Sequence, residues 1–121
     1  MLLIQGEQLK YQLTPLESLG ALAKSPTAKV SNLVSINRFD DPWNKEVLRG
    51  IRAPGTGFPF QIMLGTMRFW SRRDFVVVYK RRPVWVLAFK GEKYERWVIP
   101  VEQNQSVISE LENQIDRGWG S

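Results

Sequence analysis

The stretch FQIMLGTMRFWSRRDFVVVYKRRPVWVLAFKGEKYERWVIPV, residues 60–101, decides the fold class. Valine, isoleucine and aromatic residues recur through it in short runs, and such side chains suit a pleated, half-buried surface. Strands are predicted over 60–69, 74–80, 83–90 and 94–101, joined by SRRD, KRRP and KGEK, connections short enough for hairpins. Gly65 interrupts the first of these strands and predicts a bulge or sharp bend, since glycine weakens a flat strand. Pro83 and Pro100 fall at strand ends, where a missing N–H does least harm.

Upstream, residues 2–13 mix apolar and polar side chains with partial alternation and read as one first strand. Thr14 offers an N-cap, Pro15 suits the first helical position and Glu17 completes a capping box. With Leu16, Leu19 and Leu22 at helical spacing, a short helix is predicted over 15–23. A strand follows over 30–39, and DDPWN closes it as a turn. Asp40 and Asp41 fit that turn better than a metal site, which would want several converging oxygens. Residues 41–59 read as irregular, with KEVLRGI either a turn of helix or a short edge strand. Downstream, Asn104 can cap an amphipathic helix over 104–117 whose stripe is Val107, Ile108, Leu111 and Ile115, with Gly118 as its stop. The expected architecture is mainly β with a C-terminal helix. A meander of five or six antiparallel strands curls into a barrel to hide its edges, and the helix plugs an open end.

At 121 residues, with 43% apolar and 24% charged residues, the chain is expected to form a single domain, 1–121, with a real core. It contains neither cysteine nor histidine. Disulfides, thiolate metal sites, serine triads and cysteine–histidine dyads are thereby excluded. No carboxylate or tyrosine acid–base set stands out either, so a non-enzymatic protein without a cofactor is expected. The opening MLLIQGEQLKYQL lacks a basic stretch ahead of a long apolar one, and no run is long enough for a membrane span. A cytoplasmic location is the default.

The words RG, RAPGTG, P, GT and RDF, here Arg49-Gly50, Arg52 to Gly57, Pro59, Gly65-Thr66 and Arg73-Asp74-Phe75, carry a resemblance in their order and spacing. So do TPLESL before them and ERWVIPVEQ after them. The chain resembles small bacterial proteins with a pleckstrin-homology-like (PH-like) barrel, and the likeness covers nearly its whole length. The resemblance implies a split barrel of two roughly orthogonal antiparallel sheets closed by the terminal helix. It implies no activity, because that barrel is a scaffold for lipid, peptide and protein binding alike. Phosphoinositide-binding relatives use a basic cluster between their first two strands. Here that connection is read as the helix over 15–23 with only Lys24 and Lys29 near its end, so the usual lipid pocket is not expected.

Three groups of residues are candidates for contact with something else. APGTGF looks like a phosphate loop but lacks a following Lys-Ser or Lys-Thr and a helix to open. Pro54, Gly55, Gly57 and Pro59 are therefore expected to form a structural corner. Between Lys45 and Arg96 stand twelve Lys or Arg against four acids, so the +5 net charge is concentrated. Arg72, Arg73, Lys80, Arg81 and Arg82 lie on turns at opposite ends of one predicted hairpin, about 20 Å apart. They are either solvated turns or contacts for an anionic partner. Trp43 and Trp119, in irregular segments, are candidate apolar contacts. A protein partner is the first expectation, with weak, salt-sensitive attachment to an anionic membrane and self-association as further possibilities. A single-stranded nucleic-acid binder using Arg68, Trp70, Tyr79 and Trp85 is the alternative.

Overall fold

A computed structural model describes residues 1–21, 24–58 and 61–114. Residues 2–13, expected as one strand, fold back on themselves. β1 (Leu2–Gln5) and β2 (Gln8–Tyr11) pair antiparallel, with Gln5 opposite Gln8 and only Gly6 and Glu7 between. Gly6 has a φ of 64°, which glycine adopts without steric cost, so it makes the turn that alternation alone does not reveal. α1 (Pro15–Ala21) starts at the predicted capping box: Glu17 N donates to Thr14 Oγ1 at 3.1 Å, and Thr14 N donates to Glu17 Oε1 at 2.9 Å. β3 (Thr27–Lys29) then pairs with β2 to complete a three-stranded sheet.

A single 3-10 turn, Val30–Asn32, delays the next strand, β4, to Leu33–Phe39. Asn44 then organises one turn of helix. Its Oδ1 accepts from Glu46 N at 2.9 Å and Val47 N at 3.0 Å, and its carbonyl accepts from Leu48 N at 2.9 Å. The expected corner at APGTGF is instead extended: β5 (Ile51–Phe58) runs antiparallel to β6 (Ile62–Phe69). Gly57 sits opposite Met63 and Gly55 opposite Gly65. The register slips between Arg52 and Gly55, the span that holds Pro54, and a bulge on an edge strand is where a sheet tolerates proline. Gly65 has a φ of 129°, in keeping with the bend predicted there. Pro59 lies outside the described residues.

β7 (Arg72–Tyr79), β8 (Val84–Phe89) and β9 (Arg96–Pro100) complete a six-stranded sheet in the order β4-β8-β9-β7-β6-β5. KRRP therefore closes no hairpin. β9 inserts between β7 and β8, antiparallel to β8 and parallel to β7, so the connection crosses about 10 Å, two strand spacings. The reason is visible in RWVIP. Trp97, Val98 and Ile99 are all buried, and a strand apolar on both faces belongs in the middle of a sheet. The sheet is mixed rather than antiparallel, and its outer strands β4 and β5 do not pair with each other, so the expected closed barrel is not formed.

Both faces of this sheet are covered. On one, Phe75, Val77, Leu87, Phe89, Trp97 and Ile99 share a cluster with Leu2, Leu9 and Tyr11 and with Ile108 and Leu111 of α2 (Gln105–Gln114). Phe75 is its hub, with ring centroids of Tyr94, Tyr11 and Trp97 at 5.6, 5.9 and 6.3 Å. On the other, Met67, Val76, Val78, Val84, Val86 and Val98 lie under Val47, with Phe39, Trp43 and Leu48 at the margin. Asn104 does not cap α2 through its side chain as expected. Its Oδ1 accepts from Leu2 N at 2.8 Å and its Nδ2 donates to the Pro100 carbonyl at 2.8 Å, tying β1 to the end of β9. Ile115, Gly118 and Trp119 lie outside the described residues. Among those described, no helix is long and apolar enough to cross a membrane.

Candidate functional site

The turn between β6 and β7 is two residues, Trp70 and Ser71, rather than SRRD. That length sets Phe69 opposite Arg72 and Arg68 opposite Arg73. Directly opposed residues on antiparallel strands share a face with Cβ atoms about 5 Å apart, and like charges so placed destabilise the pair. Both arginines stand exposed. Inward from them on the same face, Thr66 is buried, its Oγ1 lying 3.5 Å from the hydroxyl of buried Tyr94. Lys93 Nζ sits 5.4 Å from the Tyr94 ring centroid. These five side chains form the floor of a groove of about 1010 Å³.

Its wall is α1 with the segment that follows. Ser18, Leu19, Lys24, Ser25 and Thr27 line it, so its described lining holds four cations, five hydroxyls and no carboxylate. Ser25 Oγ accepts from Leu13 N at 3.0 Å and fixes the segment behind the helix. Across the molecule, Tyr79 donates its hydroxyl proton to Glu17 Oε2 at 2.6 Å and so anchors the start of α1 to the end of β7. Burial first, and then Glu17, push the Tyr79 hydroxyl pKa above its ordinary value. Burial does the same to Tyr11.

The opposite face carries the molecule's buried charges. Asp74, 1% exposed, accepts from Arg49 Nε at 2.7 Å and Nη2 at 2.8 Å, and from Arg96 Nε at 3.0 Å and Nη2 at 2.7 Å. Arg49 also reaches Glu95 Oε1 at 2.7 Å, while Arg96 donates to the carbonyls of Val47 at 2.8 Å and Glu46 at 2.9 Å. The bond to Asp74 holds the Arg49 guanidinium above even the usual arginine pKa. With both carboxylate oxygens engaged by arginines, Asp74 holds Arg96 against the carbonyls of the 44–48 turn and so fastens that turn onto the sheet. Next to it Gly50, at φ 82°, passes so close to β6 that a Cβ would stand 1.9 Å from the Arg68 carbonyl oxygen.

Of the five basic residues singled out in the sequence, the structure brings only Arg73 into the groove. Arg72 Nε lies 3.2 Å from Glu95, Arg81 Nε 3.6 Å from Asp41 and Arg82 Nη1 2.7 Å from Glu102. Lys80 lies at the far end of β7, and its carbonyl accepts from Trp43 Nε1 at 2.7 Å. Trp43 is therefore pinned to that turn, and Trp119 is outside the described residues. The aromatics weighed as a base-stacking platform are also dispersed. Trp85 packs against the core with its indole N–H buried, Tyr79 is bound to Glu17, and Trp70 projects from the hairpin tip. Thr66, Lys93, Tyr94 and Lys24 were not foreseen as site residues. The signal that reaches them is the Arg68–Arg73 opposition, legible once the turn is placed at Trp70-Ser71. Comparison with protein-family models, with curated proteins and with solved structures finds no match.

Proposed function

We propose that this protein is a non-enzymatic docking domain that holds an anionic segment of a protein partner in the basic groove. The observation that carries this reading is Arg68 directly opposite Arg73, beside Lys93 and across from Lys24, with no carboxylate in the described lining. Like charges directly opposed on paired strands disfavour each other, and an anion lying between them makes a charge-assisted contact with each. The hydroxyls around them supply further donors. Absence of histidine and cysteine, together with the saturation of Asp74, supports a binding role over catalysis. Two sheets and a packed C-terminal helix support the PH-like kinship, while the parallel β7–β9 pair and the open edges depart from it. A cytoplasmic setting belongs to the same proposal.

The test is fluorescence anisotropy with labelled polyglutamate and with a single-stranded oligonucleotide, each at low and physiological salt. Polyglutamate is expected to bind in a salt-sensitive way, and Arg73→Ser to weaken it about tenfold or more, the worth of one charged hydrogen bond. Tighter binding of the oligonucleotide would replace the protein partner with nucleic acid. No binding of either would overturn the groove as a docking site.

A further inference from the structure

The groove is flanked by apolar surface that the fold leaves in water. α1 buries only Ala21 of its seven residues. Leu16 and Leu19, whose helical spacing suggests a core stripe, are 80% and 71% exposed, and Leu19 lines the groove. An isolated helix of this length is marginal in water. Here polar contacts at its first turn, the Thr14–Glu17 capping box and the Tyr79–Glu17 bond, place the helix without burying its leucines. At the tip of the hairpin that forms the floor, Trp70 is 89% exposed, the most exposed large apolar side chain among the described residues. Its φ of 57° is a conformation that costs a tryptophan strain. Polar-rimmed apolar surface of this kind marks interaction sites, and tryptophan is enriched among the residues that dominate binding energy.

We propose that the occupant of the groove is an acidic polypeptide segment that also carries large apolar side chains. Its carboxylates meet Arg68, Arg73 and Lys93, and its apolar residues cover Leu16, Leu19 and Trp70. This rests on the reading of the groove as an anion-docking site and adds the second half of the ligand. The pattern selects against purely charged partners. A flexible polyanion contacts the cations but leaves the leucines wet, whereas an amphipathic acidic segment engages both. The chain itself is an unfavourable source of the segment, because its net charge of +5 makes copies repel.

Two labelled peptides separate the two levels of the claim, one of repeating Glu-Leu-Glu and one of repeating Glu-Ser-Glu. The full chain is expected to bind the leucine peptide about tenfold or more tightly than the serine peptide, as burial of a single leucine would give. The double variant Leu16→Ser/Leu19→Ser should erase that ratio. Leu16→Met/Leu19→Met should retain it. Because both positions are exposed, circular dichroism of the variants should match the parent. Equal affinity of the parent for the two peptides would overturn this inference and leave the basic groove standing. Failure of both peptides to bind would remove the groove reading and this one with it.

Discussion

Replacing Arg73 by threonine should make the unliganded protein more stable and its ligand-bound form less so. The register of β6 and β7 opposes Arg73 to Arg68. For two unit charges on directly opposed residues, taken as roughly 7 Å apart, the repulsion in water is about 0.6 kcal/mol. Both side chains are exposed, so a water-like dielectric applies rather than that of an interior. For a chain of 121 residues the unfolding entropy is about 0.25 kcal/mol per degree, which converts this to a rise in Tm of about 2 °C. Threonine adds a little more through its fit to a strand. Scanning calorimetry in about 10 mM salt should show the gain, and in about 1 M salt, where the Debye length falls to roughly 3 Å, it should vanish. Saturating polyglutamate should raise the parent's Tm by several degrees, since ligand at about 100 times Kd adds roughly 2.7 kcal/mol, and should raise the variant's far less. A variant that melts below the parent at low salt, or a difference indifferent to salt, would refute the argument that this pair is strained for the sake of a ligand.

Asp74→Asn removes the charge that two largely buried arginines share, and should cost about 3–5 kcal/mol in urea unfolding, as breaking one partner of a buried ion network does. An unchanged midpoint would show that water already screens the cluster. Gly50→Ala should cost about 1–3 kcal/mol for its φ alone, and more for the contact with the Arg68 carbonyl, with β6 shifted enough to weaken polyglutamate binding as well. The tyrosines set an alkaline limit. A hydroxyl whose folded pKa lies above its unfolded value contributes stability that is complete below about pH 10 and lost as pH rises toward the folded value. Tyr79→Phe should therefore flatten the fall in urea midpoint between about pH 10 and 11, leaving the part that belongs to Tyr11; a fall as steep as the parent's would place the titration elsewhere.

What the sequence made legible is what local chemistry determines. The capping box at Thr14 and Glu17, the strands around the VVV and WVI runs and the apolar stripe of α2 are each set by neighbours in the chain. Sheet order is not of that kind. KRRP has the length of a hairpin, and only the double-sided burial of RWVIP puts β9 where β8 was expected. APGTGF illustrates the same limit from the other side. Its proline and glycines signal a turn, yet against β6 they make a bulged edge strand, because a partner strand supplies pairing that propensity cannot foresee. The family-like words also had roles that their spelling conceals. Arg49-Gly50 and Arg73-Asp74-Phe75 lie far apart in sequence and meet as one ion cluster, one close backbone approach, one groove cation and one core hub.

The places where local rules fail are themselves informative, because a consistent sequence satisfies propensity, burial and charge together. Opposed arginines break the cross-strand rule, outward leucines break the amphipathic rule, and a tryptophan at positive φ breaks the backbone rule. Scattered over the surface, such exceptions would each be an ordinary imperfection. Here Arg68, Arg73 and Leu19 line one groove, with Leu16 on the same short helix as Leu19 and Trp70 at the tip of the hairpin that carries the two arginines. A core has no use for any of them. An acidic, partly apolar ligand lies against both arginines and covers the leucines and the tryptophan in one event.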